Sequence, residues 1–332
     1  TSNVTNMSQM FDNTKAFNQP IGNWDTSSVT DMSYMFSNAE AFNQPIGDWD
    51  TSKVFNMSSM FSTSRAFNQN LLTDGNKWNV SNVLTMQNMF IACDKFNGDI
   101  GNWDTSYVTT FDSMFKYAYE FNKPIGSWNT NSCKVMTEMF FRAYDFNQPI
   151  GNWNVSKVEN MSYMFYGFEA NYHKFNQPIG NWDTSNVNNM PGMFYKSMFN
   201  QPIGDWDVSS VISMTSMFND ASWFSQDIRK WTLKSSVTLT DFCSSADAFI
   251  ERWRAYPGLN SNLQGGDNAQ PTRDFFYLPE QRIHTFVNDA EFINAVIKFR
   301  QDFVHGQPNN SISTDSTPKY ADLYGYIQNW DT

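Results

Sequence analysis

A polar residue, most often Asp or Asn, directly follows a recurrent tryptophan through most of the chain, and these side chains could bind cations or act as acids. The positions are Asp25, Asp50, Asn79, Asp104, Asn129, Asn154, Asp183, Asp207 and Thr232. Carboxylates stacked at the strand spacing of about 4.8 Å repel each other unless they are protonated, hydrogen-bonded or bridged by cations. Because hard cations prefer several oxygen ligands, the aspartates are candidates for a calcium ridge. The candidate ligands are Asp25, Asp50, Asp104, Asp183 and Asp207.

Two other interpretations of the same residues compete with the calcium ridge. Asn and Thr replace Asp at several positions, and Asx-turn hydrogen bonds to the following Thr-Ser backbone explain the preference without a metal. Paired carboxylates also catalyse glycoside hydrolysis. However, a repeated Asp offers no pair of environments that would raise one pKa and keep the other acid ionised. We therefore expect no catalytic residue, no resident metal and no cofactor, with calcium as the alternative.

A repeat of about 25 residues positions these side chains, and tryptophan marks it. The marker residues are Trp24, Trp49, Trp78, Trp103, Trp128, Trp153, Trp182, Trp206 and Trp231. Neighbouring markers lie 24, 25 or 29 residues apart. A fixed period in this range is typical of a solenoid, in which each coil contacts only its neighbours. Function is then expected on a long repetitive surface rather than in one pocket.

The repeat from Val29 to Asp50 predicts the secondary structure of one coil. Apolar residues between Met32 and Ala39 follow the i, i+3, i+4, i+7 spacing of a short helix, with Asp31 or Ser33 as its cap. The flanking segments contain Val, Pro and Gly and are too short for further helices, so we expect short strands. The predicted fold class is an α/β repeat solenoid, leucine-rich-repeat-like, with a C-terminal helical cap region.

The repeat stops near residue 249, which predicts three segments. They are a solenoid of about nine repeats over 1–249, an irregular capping or linker segment over 250–288, and a helix plus the start of a further repeat over 289–332. Asn288 and Glu291 form a capping-box pattern, and Gly306 is a suitable helix terminator. Aromatic residues of the middle segment, such as Trp253 and Phe275, are expected to pack on the last coil.

Equivalent positions of successive repeats form columns when the repeats stack. The Asn column and the Trp column each have a structural interpretation, and the Trp column also has a competing one. The Asn that follows Phe is expected to bridge to the backbone of the next coil. Its members are Asn18, Asn43, Asn68, Asn97, Asn122, Asn147, Asn176 and Asn200. The tryptophans are expected to stack in the core, whereas exposed ring faces would instead form a sugar-binding strip. Burial of Trp49 and Trp103 would favour the structural interpretation.

Insertions and cysteines modify the repeat at particular coils. One coil gains four residues between Phe67 and Trp78, and another gains four between Phe165 and Phe175. Such insertions map to loops, often on a binding face, although drift among repeats explains them equally well. The cysteines Cys93, Cys133 and Cys243 are expected to be small buried core residues rather than disulfide or metal ligands.

Composition narrows the class of partner. The net charge is −11 and no run of Lys or Arg occurs, which disfavours nucleic acid because phosphates require cations. No apolar stretch reaches the roughly 18 residues of a membrane span. Asn-x-Ser/Thr sequons are candidate glycosylation sites, although Asn-rich repeats generate them by composition alone. They begin at Asn3, Asn6, Asn56, Asn79, Asn154, Asn160 and Asn309.

The motifs Val-Thr-x-Met-Ser-x-Met-Phe and Phe-Asn-Gln-Pro-Ile-Gly-x-Trp-Asp resemble the Met/Phe/Trp-rich lipoprotein-type repeat of BspA-like leucine-rich-repeat surface proteins. The resemblance covers about residues 1–245. The stretch from residue 289 onward resembles the module that opens such arrays. The resemblance implies a non-enzymatic structural or adhesive role outside a cell or on a cell or virion surface. It also implies a protein partner or self-association, with glycan binding as the alternative.

The two ends of the chain share one phase of the repeat, since Thr332 follows Trp330-Asp331 as Thr26 follows Trp24-Asp25. We therefore expect the chain to be a window on a longer tandem array. A continuing polypeptide, or a head-to-tail neighbour, would cover the apolar edge from Val4 to Phe11. A head-to-tail contact that does not close into a ring would give a filament.

Overall fold

The computed structural model describes residues 1–168, 170–254, 259 and 271–276. The chain divides into two units, Thr1–Leu278 and Pro279–Thr332, and every described residue belongs to the first. The helix predicted after Asn288 and the sequon at Asn309 therefore lie outside the described residues. The predicted boundaries at 249/250 and 288/289 stay predictions.

Neighbouring repeats of the first unit are joined by parallel bridges of one residue each. The bridged residues, in order, are Asn6, Asp31, Asn56, Thr85, Thr110, Val135, Asn160, Asn189, Ser213 and Thr238. The residue before each bridge extends the pairing. For example, the Phe55 amide donates to the Thr30 carbonyl at 3.0 Å, and the Leu84 amide donates to the Phe55 carbonyl at 2.9 Å. Each described repeat thus pairs in register with the next, through single bridges instead of the predicted short strands.

The stretch predicted as a helix in each coil forms consecutive turns, so that prediction is wrong. In the repeat that begins at Val29, the amides of Tyr34, Phe36 and Asn38 donate to carbonyls of the next repeat at 2.7–2.9 Å. The amides between them close turns onto carbonyls three residues earlier, such as Ser37 to Tyr34 at 3.1 Å. An α-helix would instead use every amide within its own segment. Tyr34 and Asn38 also have a left-handed φ of 56°, which interrupts a right-handed helix.

The core consists of aromatic and methionine side chains arranged in columns. Phe36 stacks on Phe42 of the same repeat with 4.0 Å between ring centroids, and on Phe61 of the next repeat at 5.6 Å. Trp49 lies 6.4 Å from Trp24 with nearly parallel rings. Phe36, Phe42, Phe61 and Trp49 are fully buried. Burial of this apolar surface is the main term that stabilises the repeats.

The three cysteines are free and buried, which confirms their interpretation as small core residues. Burial raises the pKa of all three thiols, that of Cys133 to about 12. The Cys93 thiol donates to the Phe61 carbonyl of the preceding repeat at 2.8 Å, and Ser64 makes the equivalent bond to Phe36 at 2.5 Å. These thiols are protonated at neutral pH, so they are poor nucleophiles and poor metal ligands.

Two short helices follow the last repeats. Helix α1 spans Asp247–Trp253 and buries Phe249 and Trp253, and a 3-10 helix spans Arg273–Phe276. Phe276 stacks parallel to Trp231 at 6.4 Å, while Phe275 meets Phe249 edge-on at 5.5 Å. The described part of the segment after residue 249 therefore packs on the final repeat through aromatic rings.

Candidate functional site

The aspartates that follow tryptophan occupy tight turns. One carboxylate oxygen of Asp50 accepts a hydrogen bond from the Ser52 amide at 3.0 Å and another from the Ser52 hydroxyl at 2.6 Å. The same amide bond, two residues ahead, is made by the other predicted ridge residues. These are Asp25, Asp104, Asp183 and Asp207. Asn79 makes it too, to Ser81 at 2.9 Å, so the bond does not require a charge. The predicted Asx turn is therefore present at each of these positions.

The electrostatics of these aspartates follow from the turn. Hydrogen bonds from Ser27 hold the pKa of Asp25 below its ordinary value, and hydrogen bonds from Ser185 do the same for Asp183. A carboxyl group held in its ionised form is a poor general acid. Within the part of the chain that the structure describes, no group of three His, Cys, Asp or Glu side chains is placed to hold a metal ion. The calcium ridge stays a prediction.

The Asn column links each repeat to the next, as the sequence predicted. The side-chain oxygen of each Asn accepts a hydrogen bond from the backbone amide of the equivalent residue one repeat later, at 2.8–3.0 Å. The acceptors are Asn18, Asn43, Asn68, Asn97, Asn122, Asn147, Asn176 and Asn200. A Gln side chain of the next repeat often donates to the same oxygen, such as Gln148 to Asn122 at 2.9 Å. The side-chain oxygens of these asparagines are therefore occupied by hydrogen bonds between repeats.

The tryptophans are core residues, not a sugar-binding strip. Trp49 is fully buried and Trp103 is 3% exposed, which is the result that favours the structural interpretation. Their indole N–H groups donate to a backbone carbonyl of the preceding repeat, such as Trp49 to Ile21 at 3.1 Å and Trp128 to Ile100 at 3.1 Å. Trp78 differs, because its buried indole nitrogen has no partner among the described residues.

A column of buried hydroxyl groups was missed by the sequence analysis. Thr26, Thr51, Thr105, Thr130 and Thr184 are at most 1% exposed, and each donates to a backbone carbonyl of the next repeat at 2.8–2.9 Å. The signal was available, because Thr or Val, two β-branched residues of similar shape, follows the Asp/Asn in these repeats.

The candidate glycosylation sites differ in exposure. Asn3, Asn6 and Asn154 are exposed, whereas Asn56, Asn79 and Asn160 are half-buried. Asn160 also accepts hydrogen bonds from the amide and the hydroxyl of Ser162. The exposed Asn6 and Asn154 accept the same amide bond, from Ser8 and Ser156, so burial alone makes the half-buried three less accessible to a modifying enzyme.

The second insertion contributes to an aromatic surface that sequence reasoning did not identify. We define the Arg142 surface by its six central residues, which are Tyr117, Phe141, Arg142, Tyr166, Phe168 and Tyr195. Phe168, from the insertion, is 36% exposed, and the Arg142 guanidinium lies 3.7 Å from its ring centroid. The rings of Phe141, Tyr166 and Tyr195 come from three consecutive repeats and stack in parallel, with centroid distances of 4.6 and 4.4 Å. The surface therefore spans several repeats.

Charged side chains at this surface differ in their pairing. Lys116 pairs with Glu138 at 2.6 Å, and Lys196 lies 3.9 Å from Asp220. Arg142 forms no ion pair with any described residue, and its buried Nε atom has no hydrogen-bond partner there. Burial, with a smaller electrostatic contribution from the neighbouring Tyr195, raises the pKa of Tyr166 to about 12. Among the described residues, Arg142 is thus a partly desolvated cation on ordered rings without an anionic partner.

No helix in the described ranges combines the length and the apolar character that crossing a bilayer requires. The repeated in-register pairing and the shared core define a tandem-repeat protein. The chain belongs to the family described as "Mycoplasma protein of unknown function, DUF285", which matches residues 1–75, 71–174 and 168–256. Neither the curated proteins nor the solved structures include a match to the chain.

Proposed function

We propose that the chain is a non-enzymatic repeat scaffold at an outer surface, of a cell or a virion, with a structural or adhesive role. The observation that carries the proposal is a division between inner and outer side chains. Some residues recur from repeat to repeat, such as Trp49, Thr51 and Asn68. Their polar groups form hydrogen bonds with a neighbouring repeat. Exposed positions vary, as Phe55, Leu84 and Ile212 illustrate at one phase. A constant interior with a variable exterior suits a scaffold that displays different side chains for binding.

The proposed architecture is a leucine-rich-repeat-like solenoid, related to the BspA-like surface proteins that the motifs resemble. Parallel bridges at every repeat and aromatic columns that continue through the repeats support it. Leucine is replaced by Met and Phe in the core, and single bridges and turns replace the strands and helices of the predicted coil.

The proposal of a non-enzymatic role is supported by the state of the recurrent carboxylates. Asp25 and Asp183 are held ionised by the same hydrogen-bonded turn, so they do not differ in the way that an acid and a base must. His173, a titratable residue of the interior, is buried and bonded through Nε2 to the Phe140 carbonyl at 3.0 Å. It has no access to a substrate.

Self-association is part of the proposal. Met10 is 42% exposed and Phe11 is partly buried at the first repeat. A continuing polypeptide or a second copy could cover this apolar edge, and a head-to-tail contact would extend into a filament or coat. Glycan binding is the second candidate function, and exposed aromatic residues near the second insertion, such as Tyr163 and Trp223, favour it.

Immunolabelling of the source organism tests the proposed location. Antibodies raised against the full chain should label intact cells or virions, and gentle external proteolysis should remove the signal. An antibody against an interior protein serves as the control and should label only after permeabilisation. Labelling of the chain that also requires permeabilisation would refute a surface role.

A further inference from the structure

The Arg142 surface has the composition of a binding site. Tyrosine, tryptophan and arginine dominate the energetics of protein interfaces, because they supply large contact area with few rotatable bonds or a rigid charged fork. Here the Arg142 guanidinium lies 5.5 Å from the Tyr117 ring centroid, and the Arg142 amide donates to the carbonyl of Tyr166, whose ring stacks on Tyr195. The exposed Trp223 meets Tyr172 edge-on at 4.8 Å. Equivalent positions of earlier repeats carry smaller residues, such as Ser37 and Ser62 where later repeats carry Phe141 and Tyr166.

The surface is ordered before any partner binds. Tyr166 and Tyr195 stack at 4.4 Å, and the other face of Tyr166 stacks on Phe141 at 4.6 Å. The Arg142 guanidinium is held over Phe168 at 3.7 Å and lies within 6 Å of the Tyr117 and Phe141 rings. Side chains that are already immobilised lose little entropy on association.

Charge complementarity identifies what the surface lacks. The chain as a whole is acidic, at −11, yet Arg142 has no carboxylate partner among the described residues, whereas the neighbouring cation Lys116 has Glu138. A partly desolvated guanidinium is best satisfied by a carboxylate, which accepts two parallel hydrogen bonds from it. No described residue supplies that carboxylate, so an external anion fits the Arg142 guanidinium.

The geometry of the rings favours a polypeptide over a sugar as the carrier of that anion. Phe141 and Tyr195 cover the two faces of Tyr166, Lys116 lies 4.8 Å from the Phe141 ring centroid, and the Arg142 guanidinium covers a face of Phe168. A pyranose would need an open ring face to stack on. The ring edges and hydroxyl groups that remain suit apolar and hydrogen-bonding contacts with a peptide.

We propose that the Arg142 surface is a docking site for a protein partner that presents an acidic side chain next to an apolar one. The carboxylate binds the Arg142 guanidinium, and the apolar side chain packs against the edges of Tyr166 and Tyr195. The inference rests on the proposed scaffold function and names its partner class. It concerns binding in solution, so it can fail while the surface location of the scaffold stands, and the reverse also holds.

Selection of peptides on the full chain tests the proposal. Phage that display random peptides are panned against the immobilised protein, and enriched peptides are synthesised and titrated. We expect enriched sequences with Asp or Glu beside an apolar residue, and affinity reduced by more than about tenfold in Arg142→Gln. Arg65→Gln is the matched control, because Arg65 is an exposed cation that pairs with Asp94 at 3.2 Å in an earlier repeat. It should leave binding unchanged.

A second variant keeps the test decisive if Arg142→Gln does not fold. Phe168→Ser removes the ring beneath the guanidinium at a partly exposed position in the insertion, and it should also weaken peptide binding. Selection without acidic enrichment, or peptides that bind both variants as tightly as the unchanged protein, would overturn the proposal. So would Arg142-dependent binding of polygalacturonate, an acidic glycan, in the absence of any selected peptide.

Discussion

The chain has two insertions of equal length, and they have opposite consequences for the repeats that contain them. The first, between Leu71 and Trp78, forms an exposed polar loop closed by reciprocal Asp74–Lys77 backbone hydrogen bonds of 3.0 Å. It leaves the Trp78 indole nitrogen unpaired and Trp78 itself at a left-handed φ of 43°. The first insertion therefore disturbs the interior column that it adjoins.

The second insertion adds side chains to both sides of the repeat. Phe168 supports Arg142 on the outside, while His173, at the end of the insertion, enters the interior. His173 bonds to the Phe140 carbonyl, as Cys93 bonds to Phe61 three repeats earlier. The comparison teaches that the length of an insertion says little about its effect. What matters is whether the inserted residues make the hydrogen bonds of the positions they displace.

The largest effect should come from a charge placed in the interior that all repeats share. Phe36→Asp puts a carboxylate between Phe11, Phe42 and Phe61. We expect a loss of at least about 4 kcal/mol of unfolding free energy, because a cavity and an unpaired buried charge add. Urea unfolding followed by circular dichroism measures it. Phe36→Leu, which keeps the apolar character, should cost far less, and equal losses in the two variants would contradict a packed interior at this site.

Acid should act on the second insertion through His173. Burial lowers the pKa of His173 to about 3 from the ordinary 6.5, so the folded state binds this proton less readily than the unfolded state. The contribution of neutral His173 to the free energy of unfolding is therefore fully present above about pH 6.5. It declines as the pH falls towards the folded-state pKa. Between about pH 7.5 and pH 5 we expect a loss of about 2 kcal/mol.

The variant His173→Gln, which does not titrate, isolates that contribution. Its unfolding free energy should change little over the same pH range, since carboxylates titrate mostly below it. An equal pH dependence in the variant would assign the loss to other groups and remove His173 from the account.

Deleting each insertion should change stability in opposite directions. Removal of residues 73–76 should let the Trp78 indole find a carbonyl and stabilise the fold by about 1 kcal/mol, because an unpaired buried donor costs about 1–3 kcal/mol. Removal of residues 169–172 should destabilise the fold. Phe168 would lose its contact with Arg142, and His173 would lose its hydrogen bond to the Phe140 carbonyl. Matched urea titrations of the two deletions decide the point. If deletion of the second insertion also stabilised the fold, the claim that the two insertions have opposite effects would be contradicted.

The smallest effect is expected at the turns that the repeats share. Asp25→Asn should leave the melting temperature unchanged, because Asn79 makes the same turn bond to the residue two ahead. Thermal melts with and without calcium test the competing ridge. A large calcium-dependent rise that this substitution abolishes would establish cation binding by the aspartates.

The sequence predicted which side chains form the interior, but it did not predict the backbone geometry of the repeat. Periodic Trp, Phe and Asn predicted which side chains are buried or bonded between repeats, because each position recurs with one function. The helix prediction failed over Met32–Ala39, since the i, i+3, i+4, i+7 spacing is equally satisfied by two turns whose alternate amides bond to the next repeat. The outcome depended on a neighbour 25 residues away, which local periodicity does not represent.

The Arg142 surface was missed for a related reason. Its rings occupy one phase of successive repeats, with Phe141, Tyr166 and Tyr195 each directly after the recurrent Phe. The variable positions of successive repeats, compared with one another, indicate an aromatic patch at this phase. The stacking of Arg142 on Phe168 could not have been predicted, because it depends on where the insertion turns back.

Cysteine cross-linking tests most directly the claim that neighbouring repeats pair in register. Thr85 and Thr110 form a parallel bridge, so their Cα atoms should lie at about the strand spacing of 4.8 Å, inside the range that a disulfide spans. The pair Thr85→Cys with Thr110→Cys should oxidise to an intramolecular disulfide under native conditions. The pair Thr85→Cys with Val135→Cys, two repeats apart at about 10 Å, should not. In urea both pairs should oxidise. Native cross-linking of both pairs to the same extent, or of neither, would contradict the account.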